Sequence, residues 1–211
     1  MAALAPILAL LLGYLAGSFP TGYLAGRFFA GVDVRQVGSG RTGGTNVLRS
    51  AGRTAAIITI VGDTLKGILA VYASRLIWAA EPAPTFDLII SMAALGVVLG
   101  HNFSIFLGFK GGAGTMTGGG AMIALDPLIL GFSCILPIIF TYITKMSSIG
   151  SLMFTGVALL VSLVLISVGA RPVEVLVFFA GFCLISWYAH RPNIAKLRAG
   201  TERRIGEKAK A

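Results

Sequence analysis

Apolar residues run along this chain in blocks too long for ordinary soluble helices and without the alternation of a half-buried strand. Residues 4–26 carry no formal charge and form the first block, residues 54–78 the second and residues 88–109 the third. Residues 149–169 and 173–189 form the last two, while the apolar stretch between Lys110 and Lys145 is interrupted at Asp126-Pro127, which leaves room for a hairpin of two short helices. A hydrocarbon core of about 30 Å takes about 20 residues of helix at about 1.5 Å each. The pattern therefore predicts an all-α integral membrane protein with about seven transmembrane helices, some of them short.

Local punctuation refines that outline. Ser18, Pro20 and Thr21 predict a kink or early exit near the end of the first block. Glu81-Pro-Ala-Pro84 and Arg171-Pro172 read as short turns. The spacings Gly13/Gly17, Gly22/Gly26 and Gly96/Gly100 suit close helix contact. Residues 1–190 read as one polytopic membrane domain and residues 191–211 as a basic tail. With no basic residue before the first block, a cleaved signal peptide is not expected; the block reads as a first span.

Composition agrees: 56% of the residues are hydrophobic and 12% charged, with mean hydropathy +0.88, well outside the soluble range. The net charge of +9 could suggest nucleic acid, but the positions of the charges argue for a membrane. Arg27, Arg35, Arg41, Arg49 and Arg53 fall in one polar loop, and Arg191, Lys196, Arg198, Arg203, Arg204, Lys208 and Lys210 in the tail. By the positive-inside rule both regions are expected to be cytoplasmic, with Lys110 and Lys145 on the same side, the N-terminus outside and the C-terminus inside. Only Lys66, Arg75 and Arg171 fall elsewhere. Cys134 and Cys183 lie in apolar segments with no ligand spacing and read as packing residues.

Three polar segments could carry chemistry. In Gly38-Ser-Gly-Arg-Thr-Gly-Gly-Thr-Asn-Val-Leu-Arg49, glycines let backbone N–H groups converge while Ser39, Thr45, Asn46 and Arg49 add donors, a combination suited to phosphate. The embedded G-x-G-x-x-G has no strand around it, so a dinucleotide fold is not expected. In Gly100-His-Asn-Phe-Ser-Ile-Phe-Leu-Gly-Phe-Lys-Gly-Gly-Ala-Gly-Thr115, Lys110 offers a point charge beside Gly111 and Gly112, without a Walker order. The third segment is His190-Arg-Pro-Asn193 with Gly200-Thr-Glu202. Each has a plainer reading: a loop whose arginines only set topology, a lysine ending a helix, a tail that meets anionic headgroups. Asp63 and Lys66, three apart within the second block, should pair or face the bundle interior, because an unpaired charge there costs about 2.5–3.5 kcal/mol.

Together these segments resemble the bacterial acyl-phosphate:glycerol-3-phosphate acyltransferase family, PlsY, over almost the whole chain. The likeness rests on Gly17-Ser-Phe-Pro-Thr-Gly-Tyr-Leu, the Gly38–Arg49 segment, Asp63-x-x-Lys66-Gly67, Gly100-His, Phe109-Lys-Gly-Gly, His190-Arg-x-Asn-Ile194 and Gly200-Thr-Glu202. It implies transfer of a fatty acyl group from acyl phosphate to the 1-hydroxyl of glycerol 3-phosphate, with no cofactor, metal, acyl carrier protein or coenzyme A, by a monomer among membrane lipids in the bacterial inner membrane. Carried over by position, His190, Asn193 and Lys110 are the expected catalytic residues. Ser39, Arg41, Thr45, Asn46, Arg49, Gly111, Gly112 and Ser148 are the expected phosphate and substrate contacts, with Ser151 an alternative hydroxyl. Proton removal falls to His190 or to the departing phosphate. Family members usually carry asparagine at Arg41, lysine at Ala113 and an acidic residue at Pro192, and Arg41 is expected to replace the positive charge missing at Ala113. A transporter or flippase for a phosphorylated lipid or metabolite is the main alternative, and a non-catalytic scaffold a second.

Overall fold

The computed structural model describes residues 4–207, so Lys208 and Lys210 lie outside the described residues. Among the described residues nine α-helices follow one another: α1 (Ala5–Ser18), α2 (Thr21–Ala30), α3 (Gly44–Ile77), α4 (Thr85–Asn102), α5 (Thr115–Leu125), α6 (Pro127–Thr144), α7 (Ser147–Ser167), α8 (Leu176–Ala189) and α9 (Arg191–Arg198). No strand occurs among the described residues. The first apolar block breaks at Phe19-Pro20, where the sequence predicts a kink, and resumes as α2. The polar loop is shorter than the gap between the first two apolar blocks, because α2 runs on to Ala30 and α3 begins at Gly44. Gly52, with φ of 86°, breaks α3 into a short helix from Gly44 and the long apolar helix that the second block predicts.

Five helical stretches are long and apolar enough to cross a membrane among the described residues: Ala5–Ala30, Gly44–Ile77, Thr85–Leu107, Pro127–Thr144 and Ser147–Ser167. A sixth is reached if Val173–Ala189 and α9, bent by 59°, count as one broken span. The seventh segment, α5, has 11 residues, about 16 Å of helix, and falls short of the hydrocarbon thickness.

Two of the predicted glycine pairs meet each other. A Cβ on Gly13 or Gly17 would overlap the backbone of Ala93 or Val97, and one on Gly96 or Gly100 would overlap that of Leu10 or Tyr14. Helices α1 and α4 therefore touch backbone to backbone, which compensates for the missing hydrophobic drive between helices in lipid. Gly22 instead lies against the Thr42 carbonyl, admitting the polar loop onto α2. The main core gathers Ile89, Ile90, Val97, Val98, Met122, Ile129, Phe178 and Phe182, whereas Leu8, Leu11, Leu15, Ile138 and Leu160 remain exposed on the outer surface.

Lys66, Arg75 and Arg171, the basic residues away from the expected cytoplasmic side, all find partners. Lys66 pairs with Asp63 at 2.8 Å, as the cost of a lone buried charge requires. Arg75 donates to the Leu125 carbonyl at 3.2 Å, and Arg171 pairs with Asp126, which also caps α6 through Leu128 N and Ile129 N. The Arg75 and Arg171 contacts tie together the bundle end opposite the three motifs.

Candidate active site

Helices α4, α6 and α8 end, and α3, α5 and α7 begin, at the same end of the bundle. The Gly38–Arg49 segment is ordered there by a buried asparagine. Asn46 Nδ2 lies 2.9–3.1 Å from the carbonyls of Val34, Val37 and Arg41, and its Oδ1 accepts from Ser39 N at 2.8 Å. The Asn46 amide is thus committed to the loop and shapes the groups around it. Val34 packs with Ala25, Val47, Ala55 and Ala56 in a small core beneath the loop. Arg35 closes on Asp33 through Nε at 3.0 Å and Nη2 at 2.8 Å, and its hydrogen bonds hold the Asp33 carboxyl at about 2. No side chain caps the start of α3. Its first-turn N–H groups, beside Ser39 and Thr45, form an end suited to an anion.

The second loop is closed by its backbone. Gly111 N donates to the Asn102 carbonyl and Gly112 N to the His101 carbonyl, both at 3.1 Å. These two N–H groups are therefore engaged within the loop. The glycines also permit close approach, since a Cβ on Gly112 would overlap His101 Nε2. Lys110 itself is exposed.

The third segment bends after α8. Pro192 does not disorder it but sits in the first turn of α9, where its missing N–H costs nothing. Asn193 becomes a bridge: its Oδ1 accepts from Arg41 Nη1 at 3.1 Å and its Nδ2 donates to Glu202 Oε1 at 2.8 Å. Ser148, at the start of α7, donates to that same Glu202 oxygen at 2.8 Å. Arg49 Nη2 donates to the Arg204 carbonyl at 3.1 Å, and Ile205 N to the Lys145 carbonyl at 2.6 Å, so the tail straps across the bundle end. Glu202, which the sequence marks only as the end of the Gly200-Thr-Glu202 motif and to which it assigns no role, is the hub of this end.

His190 is buried just beyond the last membrane helix, with Nδ1 2.8 Å from the Ser186 carbonyl. A carbonyl can only accept, so Nδ1 carries the proton and Nε2 keeps its lone pair. Burial pushes the imidazole below its ordinary 6.5 and the Ser186 bond opposes this; more weakly, the Arg41 charge lowers it further and the Glu202 charge raises it. Burial likewise lowers the proton affinity of the Arg41 guanidinium, with Arg191 adding to that effect and Glu202 opposing it. Arg41, His190, Asn193, Glu202 and Ser148 thus form one electrostatic neighbourhood built from four parts of the chain.

The family described as glycerol-3-phosphate acyltransferase matches residues 7–200. The chain belongs to the glycerol-3-phosphate acyltransferase family. A glycerol-3-phosphate acyltransferase of Thermus thermophilus is 40% identical over 208 residues, covering 98% of each chain. One from Synechococcus elongatus is 39% identical over 202 residues, covering 94% of this chain and 93% of its own. The crystal structure of PlsY, an integral membrane glycerol 3-phosphate acyltransferase, in its glycerol 3-phosphate form superimposes with a TM-score of 0.83 at 31% identity, covering 95% of this chain and 96% of that one. Its lysophosphatidic acid form gives 0.80 at 29% identity, covering 95% of each. For this member of the acyltransferase family, two positions expected to be unusual fall within or beside the cluster: Arg41 in its centre and Pro192 at the start of α9.

Proposed function

We propose that this acyltransferase takes its acyl group from acyl phosphate and delivers it to the 1-hydroxyl of glycerol 3-phosphate, at the cytoplasmic face of the bacterial inner membrane. The full-length match to glycerol-3-phosphate acyltransferases carries the reading. The two polar regions that gather most of the arginines and lysines support the orientation, with the N-terminus outside and the C-terminus inside.

An acyl phosphate is a mixed anhydride and needs no further activation. The glycerol oxygen attacks the acyl carbon, the bond from that carbon to the phosphate oxygen breaks, and inorganic phosphate leaves. The free end of α3, Ser39, Thr45, Arg41, Arg49 and Lys110 are proposed to hold the two phosphate groups, with Asn193 and Ser148 alongside. Holding two anions in line supplies about 7–11 kcal/mol of the barrier by orientation, and fixed donors stabilise the charge that develops on the carbonyl oxygen. His190 Nε2 is an available acceptor for the hydroxyl proton; the departing phosphate is the other.

The deciding measurement is phosphate release when purified protein in detergent receives palmitoyl phosphate and glycerol 3-phosphate. Release is expected with that donor and not with palmitoyl coenzyme A. Acylation from palmitoyl coenzyme A alone would overturn the donor assignment. Vectorial movement of glycerol 3-phosphate without phosphate release would favour the transporter reading.

A further inference from the structure

We infer that the buried Asp63–Lys66–His101 cluster registers the two substrate loops against each other, making His101 a positioning residue for acyl transfer; this rests on the reading in the preceding subsection. The three groups lie inside the bundle with 2%, 9% and 6% of their surface exposed. An interior ion pair is a poor way to gain stability, and apolar residues of similar size commonly do as well or better. What such groups do well is fix geometry, and here Lys66 and His101, both held by Asp63, reach toward different loops.

On one side, Lys66 Nζ joins Asp63 Oδ1 at 2.8 Å to the Phe19 carbonyl at 3.0 Å. Phe19 occupies the break between α1 and α2, where Pro20 interrupts the helical hydrogen bonds. From that break α2 leads into the polar loop, and Gly22 on α2 lies directly against the Thr42 carbonyl. The ammonium group therefore holds the root of the loop that carries Ser39 and Arg41.

On the other side, His101 Nδ1 faces Asp63 Oδ1 at 3.4 Å and Thr117 Oγ1 at 3.1 Å. The carboxylate draws the imidazole proton to Nδ1. Nε2 is then turned onto Gly112, so closely that any side chain there would overlap it, while the His101 carbonyl receives Gly112 N at 3.1 Å. Ring and backbone of one residue thus grip the chain two positions after Lys110. Shifting Asp63 would move both loops, which belong to segments about 60 residues apart in the chain.

A mutant cycle in detergent tests this with wild type, His101→Ala, Gly112→Ala and the double variant, measuring kcat and the KM of both phosphate substrates beside the melting temperature. His101→Ala and Gly112→Ala should each raise the KM of at least one phosphate substrate by about tenfold or more with little change in melting temperature. The double variant should be no worse than His101→Ala alone, because the overlap disappears with the ring. Unchanged KM values in His101→Ala, or additive losses in the double variant, would overturn the inference.

A second measurement does not depend on turnover. Spin labels at Gln36→Cys and Phe106→Cys, in a background with Cys134 and Cys183 replaced by alanine, report the distance between the loops. His101→Ala should broaden or shift that distance; an unchanged distribution sinks the inference even if the enzyme is active. Wild-type protein without turnover but with a distance that responds to His101 would instead count against the acyltransferase reading alone.

Discussion

Arg41 donates from Nη1 to Asn193 Oδ1 at 3.1 Å, joining residues 152 positions apart. The bond orients the Asn193 amide, whose nitrogen is thereby turned to Glu202. Arg35, six residues earlier, instead spends its guanidinium on Asp33. Arg41→Asn should lower kcat/KM for the phosphate substrates by about tenfold or more, whereas Arg35→Asn should act more weakly. Arg41→Lys should recover only part of the loss, because an ammonium restores the charge without the planar fork. Equal, mild effects at both arginines would remove Arg41 from the site.

Glu202 accepts from both Ser148 and Asn193 through one oxygen. Hydrogen bonds to a charged group contribute about 1.5–3 kcal/mol. Glu202→Ala should therefore reduce turnover more than Glu202→Gln, which keeps an acceptor in place. The same substitution should loosen the strap and speed trypsin cleavage at Arg203 and Arg204. Cleavage at the wild-type rate would show that Glu202 does not hold the tail.

His190 is buried and its pKa lies below the ordinary 6.5, so the imidazole is neutral at pH 7 and keeps its Nε2 lone pair. A lowered pKa keeps the base form to lower pH. The fall in kcat/KM that His190 causes should thus lie on the acid side of 6.5, and His190→Gln should abolish that limb. A limb that persists unchanged in His190→Gln would transfer proton removal to the substrate phosphate.

Lys110 is exposed and Arg49 is tied to the tail carbonyls. Lys110→Ala should cut turnover sharply with an unchanged melting temperature. Arg49→Ala should lower both, since it removes a charge from the site and a bond from the strap. Near-normal turnover in Lys110→Ala would show that the lysine only marks topology.

The α1–α4 contact offers a test of stability alone. Gly96→Leu would drive its side chain into the Leu10 and Tyr14 backbone and should lower the melting temperature in detergent by several degrees, overpacking of this kind costing about 1–3 kcal/mol. Gly131→Ala, where nothing stands within 4 Å, should leave stability unchanged or raise it. Similar losses in both would mean that helix propensity, not contact, governs these glycines.

Local composition alone determined the apolar blocks, the kink before Pro20, the division at Asp126-Pro127 and the need for Lys66 to find Asp63. Each follows from what lipid does to a charge, a proline or an apolar run, with no reference to distant residues. The motif segments were legible for the same reason, as glycines and donors at fixed short spacing. What tertiary structure decided is how those donors are used. Asn46 turns inward to hold its own loop, the Gly111 and Gly112 amides close a turn on α4, and Glu202 becomes the hub between α7 and α9. Nor could spacing reveal that Gly13 and Gly17 lie against Ala93 and Val97. Hydrogen bonds saturate, so a donor can serve the fold or the substrate, and only the folded chain shows which acceptor reaches it first.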